Sequence, residues 1–407
     1  MLQTKDNAAA ARAGDSGFSE FVALMALMIG LTALSVDIML PALGEMGEAL
    51  RIERANDRQL IITYYLFGFA LGQILFGPLS DRLGRKGPLA AGLVIFAIAS
   101  VAAMLAPNSE VMFAARVCQG FGAAAPRVIA LAIIRDRYAG RQMARVMSFV
   151  MMVFVVVPIL APLIGQGVMQ FVSWRGVFGV LLLFSVITLL WAGWRLSETG
   201  AGGRNSGVTL AGAAAMVLTT RQTVGYAIAF GFFFGVLMSY IASSEQIFID
   251  VYQLGSAFPL VFATIASVMI LASFLNAQLV VRLGMRRVSH YALLALLGVC
   301  GLMALAGFPE KPPLLLFCLF VACVFFCFGL IGPNFNALAM EPMGDIAGTA
   351  SSFIGFYTTA SGTFFGWFVG QSFNGSVRPL VVGFTVLAAS ALVAVLFTER
   401  FKLAQSR

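Results

Sequence analysis

The chain has 407 residues, 60% of them hydrophobic and only 11% charged, with a formal net charge of +8 and a mean hydropathy of +0.93. A soluble fold of this length would have too few polar residues for its wet surface, so lipid must be its main solvent. The basic residues are scattered over short loops, which argues against a nucleic-acid face and fits anionic membrane lipid.

A helix that crosses a bilayer needs roughly 20 mostly apolar residues. Twelve segments qualify: 21–40, 60–79, 88–106, 111–134, 146–171, 177–194, 224–243, 259–281, 291–308, 314–340, 346–373 and 380–398. Backbone groups in hydrocarbon must be paired within the segment, so these spans are helices. Runs such as Leu181-Leu182-Leu183-Phe184 lack the alternation of a membrane barrel. Of the 26 Lys and Arg, 18 fall on the side that holds both termini, six on the opposite side, and Arg116 and Arg127 inside a span. Both termini are therefore expected to be cytoplasmic.

The expected layout is an all-α integral membrane protein of two six-helix bundles. Residues 1–19 form a cytoplasmic leader, 20–195 the first bundle, 196–221 a Gly-rich cytoplasmic linker, 222–400 the second bundle and 401–407 a tail. The leader runs into a span long enough to stay in the membrane, so no cleaved signal is expected. Within the linker, 208–218 is apolar but half the length of a span, and is read as lying on the cytoplasmic surface. The five cysteines fall within spans, and His290 is the single histidine, so neither disulfides nor a histidine metal site is expected.

Span 1 carries Asp37, the only acidic residue deep within a span. A charge there is costly, so the carboxylate should be paired, wet or protonated. One group able to hold either a proton or a cationic partner can exchange one for the other. A structural ion pair, or an interfacial aspartate near the outer end, is the plainer alternative. Span 2 brings Tyr65 and Gln73, then the junction Gly77-Pro78-Leu79-Ser80-Asp81-Arg82-Leu83-Gly84-Arg85-Lys86. Gly77 admits a neighbouring helix and Gly84 a tight turn. Asp81 can cap a helix or pair with arginines of adjacent loops as a breakable latch on the inner face. Arg82, Arg85 and Lys86 also hold the loop inside. An echo, 277–287, lies 200 positions later; Val281 answers Asp81 there, so an ionic latch is expected in the first half only.

Span 4 carries Arg116, Gln119 and Arg127. Arg116 is the natural partner for Asp37, with a packing arginine as the alternative; Arg127 is expected to snorkel toward the cytoplasmic side. Span 5 holds Pro158 and Pro162, which let a helix bend, and Gly165. Span 7 contains Tyr240 and leads into Ser243-Ser244-Glu245-Gln246, where Glu245 is read as a solvated helix end rather than a second cavity carboxylate. Asn334, Asn336 and Tyr357 add sparse polar groups, and some of the 37 phenylalanines can line an adaptable apolar cavity. Residues 121–127 are echoed by 328–334, a second sign of duplicated halves with a site between them.

These motifs together resemble the major facilitator superfamily, and within it the twelve-helix drug:proton antiporters of the bicyclomycin and chloramphenicol resistance group. The likeness covers nearly the whole chain. Gly77 to Lys86 match the G-x-x-x-D-R-x-G-R-[KR] loop, Ser35 to Leu43 the S-x-D-x-x-L-P-A-L end of helix 1, and Arg116 to Ala123 the R-x-x-Q-G-x-G-A of helix 4. The run Pro158 to Gly165 is similar to the helix 5 motif of exporters but has Ala161 in place of the first glycine, and Glu245 departs from the S-S-P-F of relatives. The resemblance implies a secondary transporter, not an enzyme. It would lie in a bacterial inner membrane as a monomer and, without any cofactor, use the proton gradient to export amphipathic small molecules. Asp37 and Arg116 would serve proton coupling, Tyr65, Gln73, Gln119, Arg127, Tyr240, Glu245, Asn334, Asn336 and Tyr357 the cavity, and the junction with Pro158, Pro162 and Gly165 the gating. An uptake symporter on the same fold remains the alternative, and a non-transporting sensor or membrane enzyme a remote one.

Overall fold

The computed structural model describes residues 2–138, 140–199, 210–305 and 309–401. Among the described residues there are twelve long helices: α1 (Leu2–Asp37), α2 (Leu60–Leu83), α3 (Lys86–Met104), α4 (Ser109–Arg137), α5 (Gly140–Met169), α6 (Arg175–Arg195), α7 (Arg221–Glu245), α8 (Phe258–Leu283), α9 (Met285–Leu305), α10 (Leu314–Met340), α11 (Ala347–Gln371) and α12 (Arg378–Thr398). Eleven are long and apolar enough to cross a membrane. The exception, α11, interleaves its apolar residues with hydroxyls. Those of Ser351, Thr358, Ser361 and Thr363 donate back to carbonyls three or four residues earlier, at 2.6–2.8 Å, so each is satisfied within the helix.

Two boundaries differ from the sequence expectation. Helix α1 starts at Leu2 rather than at residue 21, so the polar leader continues the first span as helix. The apolar stretch of the linker forms the helix Leu210–Thr219. Its Val217 is buried with Met343, Ile346 and Ala350, so it packs on the second half of the chain. Residues 200–209 of the linker and 402–407 of the tail lie outside the described residues.

The packing repeats itself six helices apart. In the first half α1 packs on α4, α5 and α6, α4 on α2 and α3, and α3 on α6. In the second half α7 packs on α10, α11 and α12, α10 on α8 and α9, and α9 on α12. Two further pairs, α2 with α11 and α5 with α8, join the halves along a seam. The α2–α3 and α8–α9 junctions turn through glycines with nearly the same left-handed backbone, φ +86° at Gly84 and +83° at Gly284. A side chain would be strained at either, which explains why glycine recurs at that spacing. The result is an all-helical membrane fold of two pseudo-symmetric bundles.

Candidate functional site

Helix α1 ends at Asp37 because Pro41, in the 3-10 turn Leu40–Ala42, supplies no N–H to continue it. This end of the helix is enclosed. Asp37 is 3% exposed, and its Oδ1 has no hydrogen-bond partner. No ion pair reaches it among the described residues. Tyr65 of α2 and Tyr240 of α7 are both close enough to feel the Asp37 charge. The Tyr65 hydroxyl donates to the Thr32 carbonyl at 3.4 Å, while the Thr32 hydroxyl and the Tyr240 hydroxyl are buried without partners. Buried polar atoms are normally bonded, so the unpartnered oxygens of Asp37 on the first half and Tyr240 on the second are places for a proton, water or ligand. Behind this end of α1, α5 approaches so closely that a Cβ on Gly165 would run into the Ile38 carbonyl oxygen.

Arg116 lies next to this end of α1 but does not pair with Asp37. Fully buried, it donates Nη2 to the Ser35 carbonyl at 3.1 Å, Nε to the Ile61 carbonyl at 3.0 Å, and Nη1 to Gln119 Oε1. Ser35 lies in the last turn of α1, where carbonyls lack partners within the helix. A cation there also complements the helix dipole. The guanidinium stands 4.3 Å from the Tyr65 ring centroid. Gln119 in turn donates to Ser100 Oγ at 2.7 Å, which ties α4 to α3. Arg116 and Gln119 are therefore bonded to the first half's own interior.

The other expected cavity residues divide. Gln73 is buried and donates to Thr359 Oγ1 of α11 at 2.9 Å, which places it in the seam. Asn334 is buried and donates to Asn276 Oδ1 of α8 at 2.8 Å. Arg127 does not extend outward as expected; it is half-buried, with its guanidinium 5.5 Å from the Phe69 ring centroid. Tyr240 packs among Phe248, Phe262 and Phe325. Asn336 and Tyr357 are exposed, at 39% for the tyrosine. Pro158 and Pro162 both lie inside α5, which is assigned as one helix.

At the α2–α3 junction the ion pairs run differently from the expected loop-to-loop latch. Asp81 pairs with Arg85 of its own loop at 2.5 Å, and Arg85 reaches Asp136 at the end of α4 at 2.9 Å. Arg85 is held above its ordinary pKa: burial opposes this, but the two carboxylates outweigh it. Glu198 accepts from the backbone N–H of Arg85 and Lys86 at 2.6 and 3.1 Å, capping α3. Lys86 Nζ donates to the Gly193 carbonyl at 3.1 Å, and Arg82 is exposed. Asp81 also lies over the first turn of α11, its Oδ2 3.8 Å from where a Cβ on Gly348 would stand. At Gly77 α11 is closer still: an added Cβ would run into Ser352 Oγ.

The second half has its own ionic cluster, contrary to the one-sided expectation. Val281 is 86% exposed and takes no part. Arg286, two residues beyond Gly284, pairs instead with Glu399 at 2.9 Å and Glu341 at 3.5 Å. The echo 277–287 carries no acid at the position of Asp81; the acids come instead from the ends of α10 and α12.

A polar seam on the opposite face was not foreseen. Asn56 donates to the carbonyls of Gln371 and Phe373 at 3.0 and 2.9 Å, and Gln371 donates to the Asn56 carbonyl at 3.0 Å. Gln59 donates to Gln246 Oε1 at 2.6 Å and to the Gly370 carbonyl at 3.1 Å, and Gln246 donates to Asn56 Oδ1 at 2.8 Å. Glu245, expected to be solvated, is 2% exposed and faces Arg58 at 3.7 Å. It is buried because the helix Leu43–Ala49 and the turn Ala55–Gln59 fold over the end of α7. The bundle is thus bolted together at this end.

The sequence matches the Major Facilitator Superfamily over residues 25–367. It is 29% identical over 395 residues to a bicyclomycin resistance protein homolog of Haemophilus influenzae, across 92% of this chain and 94% of that one. It is 34% identical over 291 residues to a chloramphenicol resistance protein of Pseudomonas aeruginosa, across 68% of each. In fold it is similar to the crystal structure of a D-xylose-proton symporter, with a TM-score of 0.75 over 94% of this chain and 98% of that one; at 15% identity the likeness is one of fold alone.

Proposed function

Since this chain belongs to the Major Facilitator Superfamily, whose members are secondary transporters rather than enzymes, we propose that it exports amphipathic small molecules in exchange for protons. Drug-resistance relatives at about 30% identity support the direction and the substrate class. In this reading residues 20–195 and 222–400 rock about the seam, with 196–221 as the tether. The chain works as a monomer in a bacterial inner membrane, and both termini are cytoplasmic.

The observation that carries the reading is Asp37. It is buried, without a counter-ion among the described residues, and one of its oxygens is unpartnered. A proton can satisfy the carboxyl, and so can a polar or cationic group of a substrate; occupancy by one favours release of the other. Arg116 fixes the end of α1 that presents Asp37 and keeps a positive charge nearby without neutralising it. Tyr240 and Tyr65 offer a hydroxyl from each half. The Asn56–Gln371 seam joins the halves at one face, and at the basic face they meet where Gly77 and Asp81 of α2 lie against Ser352 and Gly348 of α11, so alternating access parts one of these contacts while keeping the other.

The test is transport in proteoliposomes under an imposed pH gradient, with a panel of antibiotics and cationic dyes. Wild-type protein should move substrate against the proton flow, and Asp37→Asn should abolish coupled transport. Coupled export at wild-type rate by Asp37→Asn would overturn the mechanism. Proton-driven accumulation in the opposite direction would select the symporter reading instead.

A further inference from the structure

Glu245 is the last residue of α7, as Asp37 is the last of α1. These two helices occupy matching places in the repeated packing scheme, so each half begins with a helix that ends in a buried acid. Their surroundings differ. Asp37 has no ion partner, whereas Glu245 Oε1 faces Arg58 Nη1 across the seam. At 3.7 Å this is an ion pair without a good hydrogen bond, and Arg58 Nε is buried and unpartnered. Glycines clear the space around the pair. A Cβ on Gly44 would stand 3.2 Å from Glu245 Oε1, and one on Gly47 would meet the Arg58 side chain at 2.8 Å. The charges that reach Glu245 are those of Arg58 and Asp250. The groups facing this seam from the helix Leu43–Ala49 and from α11, namely Gly44, Gly370 and Gln371, are neutral. Directly after Glu245 the backbone widens into a π-helix, Gln246–Val251, a geometry frequent at functional sites.

We propose that Glu245 is a second proton-carrying carboxylate, which unlocks the seam between the halves when a proton from the adjoining aqueous phase neutralises it. The inference rests on the alternating-access reading above. The step forms one O–H bond on Glu245 and breaks no covalent bond; the ion pair with Arg58 becomes a contact between a cation and a neutral acid. The seam's remaining bonds are between neutral groups, worth about 1 kcal/mol each. Parting an unprotonated Glu245 from Arg58 would add the loss of the attraction between two largely enclosed charges, which protonation removes beforehand. Glu245 thereby links outer opening to proton supply, while Asp37 links proton to substrate.

The test is hydrogen exchange of the full chain in lipid nanodiscs without substrate, at about pH 5.5 and about pH 8 and corrected for intrinsic rates. In the wild type, amides of 52–60 and 368–376 should exchange about tenfold faster at the acid pH. Glu245→Gln should exchange fast at both pH values, and Arg58→Gln should likewise lose the contrast. Asp37→Asn should keep it. Protection retained in α3 and α9 identifies a variant as folded. No contrast in the wild type, or a wild-type contrast in either folded seam variant, overturns the inference. Because no substrate is present, a seam that responds in a chain that exports nothing would uphold this inference and remove the export reading.

Discussion

Arg116→Lys keeps the charge at the end of α1 but replaces a planar fork by a single ammonium. The fork serves three acceptors on three helices: Ser35 of α1, Ile61 of α2 and Gln119 of α4 itself. A lysine amine can reach one of them well. Losing two charge-assisted bonds at about 1.5–3 kcal/mol each gives a cost of about 3–6 kcal/mol. Asp37→Asn should behave oppositely. Its carboxylate has no ion partner, so removing the charge relieves a burial penalty and should leave stability unchanged or slightly raised. The assay is a double-mutant cycle of Asp37→Asn with Arg116→Gln, which removes the charge that Arg116→Lys keeps, by equilibrium unfolding in mixed micelles. If Arg116 acts as a cap for α1 rather than as a counter-ion, the coupling energy should fall below about 0.5 kcal/mol. A coupling above about 1.5 kcal/mol, or an Asp37→Asn variant as unstable as Arg116→Lys, would refute that assignment.

At the two junction glycines, Gly84→Ala should cost more than Gly284→Ala when melting temperatures are compared. Both positions combine positive φ with an extended ψ, a region essentially confined to glycine, which strains alanine by about 1–3 kcal/mol. A Cβ at 84 would also press on the Glu198 carboxylate that caps α3, whereas the space around 284 is open. Gly77→Ala should loosen the α2–α11 contact by about 1–3 kcal/mol, and Ser352→Gly in the same chain should restore it, as read by thermal stability of the double variant. Glu399, beyond the end of α12, has its carboxyl held below the ordinary 4.5: burial works against this, but bonds from Tyr226 and Arg286 prevail. Its contribution to stability is therefore present above about pH 4.5 and lost as pH falls through the lower folded value. A pH series of melts should show Glu399→Gln less stable at neutral pH, with a flatter acid limb.

The spans were legible because a bilayer demands a long apolar run, and no other feature of this chain produces one. The start of α1 was not. Hydropathy reports apolarity, whereas Ala8 to Ala11 favour a helix by propensity alone. Asp37 stood out as a lone acid among apolar neighbours. Glu245 was misread by the same logic, since an acid at the edge of a span looks solvated. Its burial depends on Arg58 and Gln59, and the Gln59–Gln246 bond joins residues 187 positions apart. The amides of Asn56, Gln246 and Gln371 were invisible for that reason. Their partners are backbone carbonyls and each other, which leaves no spacing pattern in the chain.

The symmetry of the halves is carried by backbone and packing, and it fails where the polar groups are. Superposing residues 121–127 on 328–334 puts Cys323 where α4 has Arg116, and Phe326 where it has Gln119. At these two positions α10 therefore offers no cation to the end of α7. The end of α1 is held by Arg116 within its own half, and the end of α7 by Arg58 from the other half. A rigid-body parting of the seam leaves the surroundings of Asp37 on the α4 side intact, but removes the partner of Glu245. One carboxylate is thereby placed to respond to what occupies the cavity, and the other to whether the halves are apart. Under the proposed function two acids so placed can order the cycle, because parting the halves takes the ion partner from Glu245 but none from Asp37.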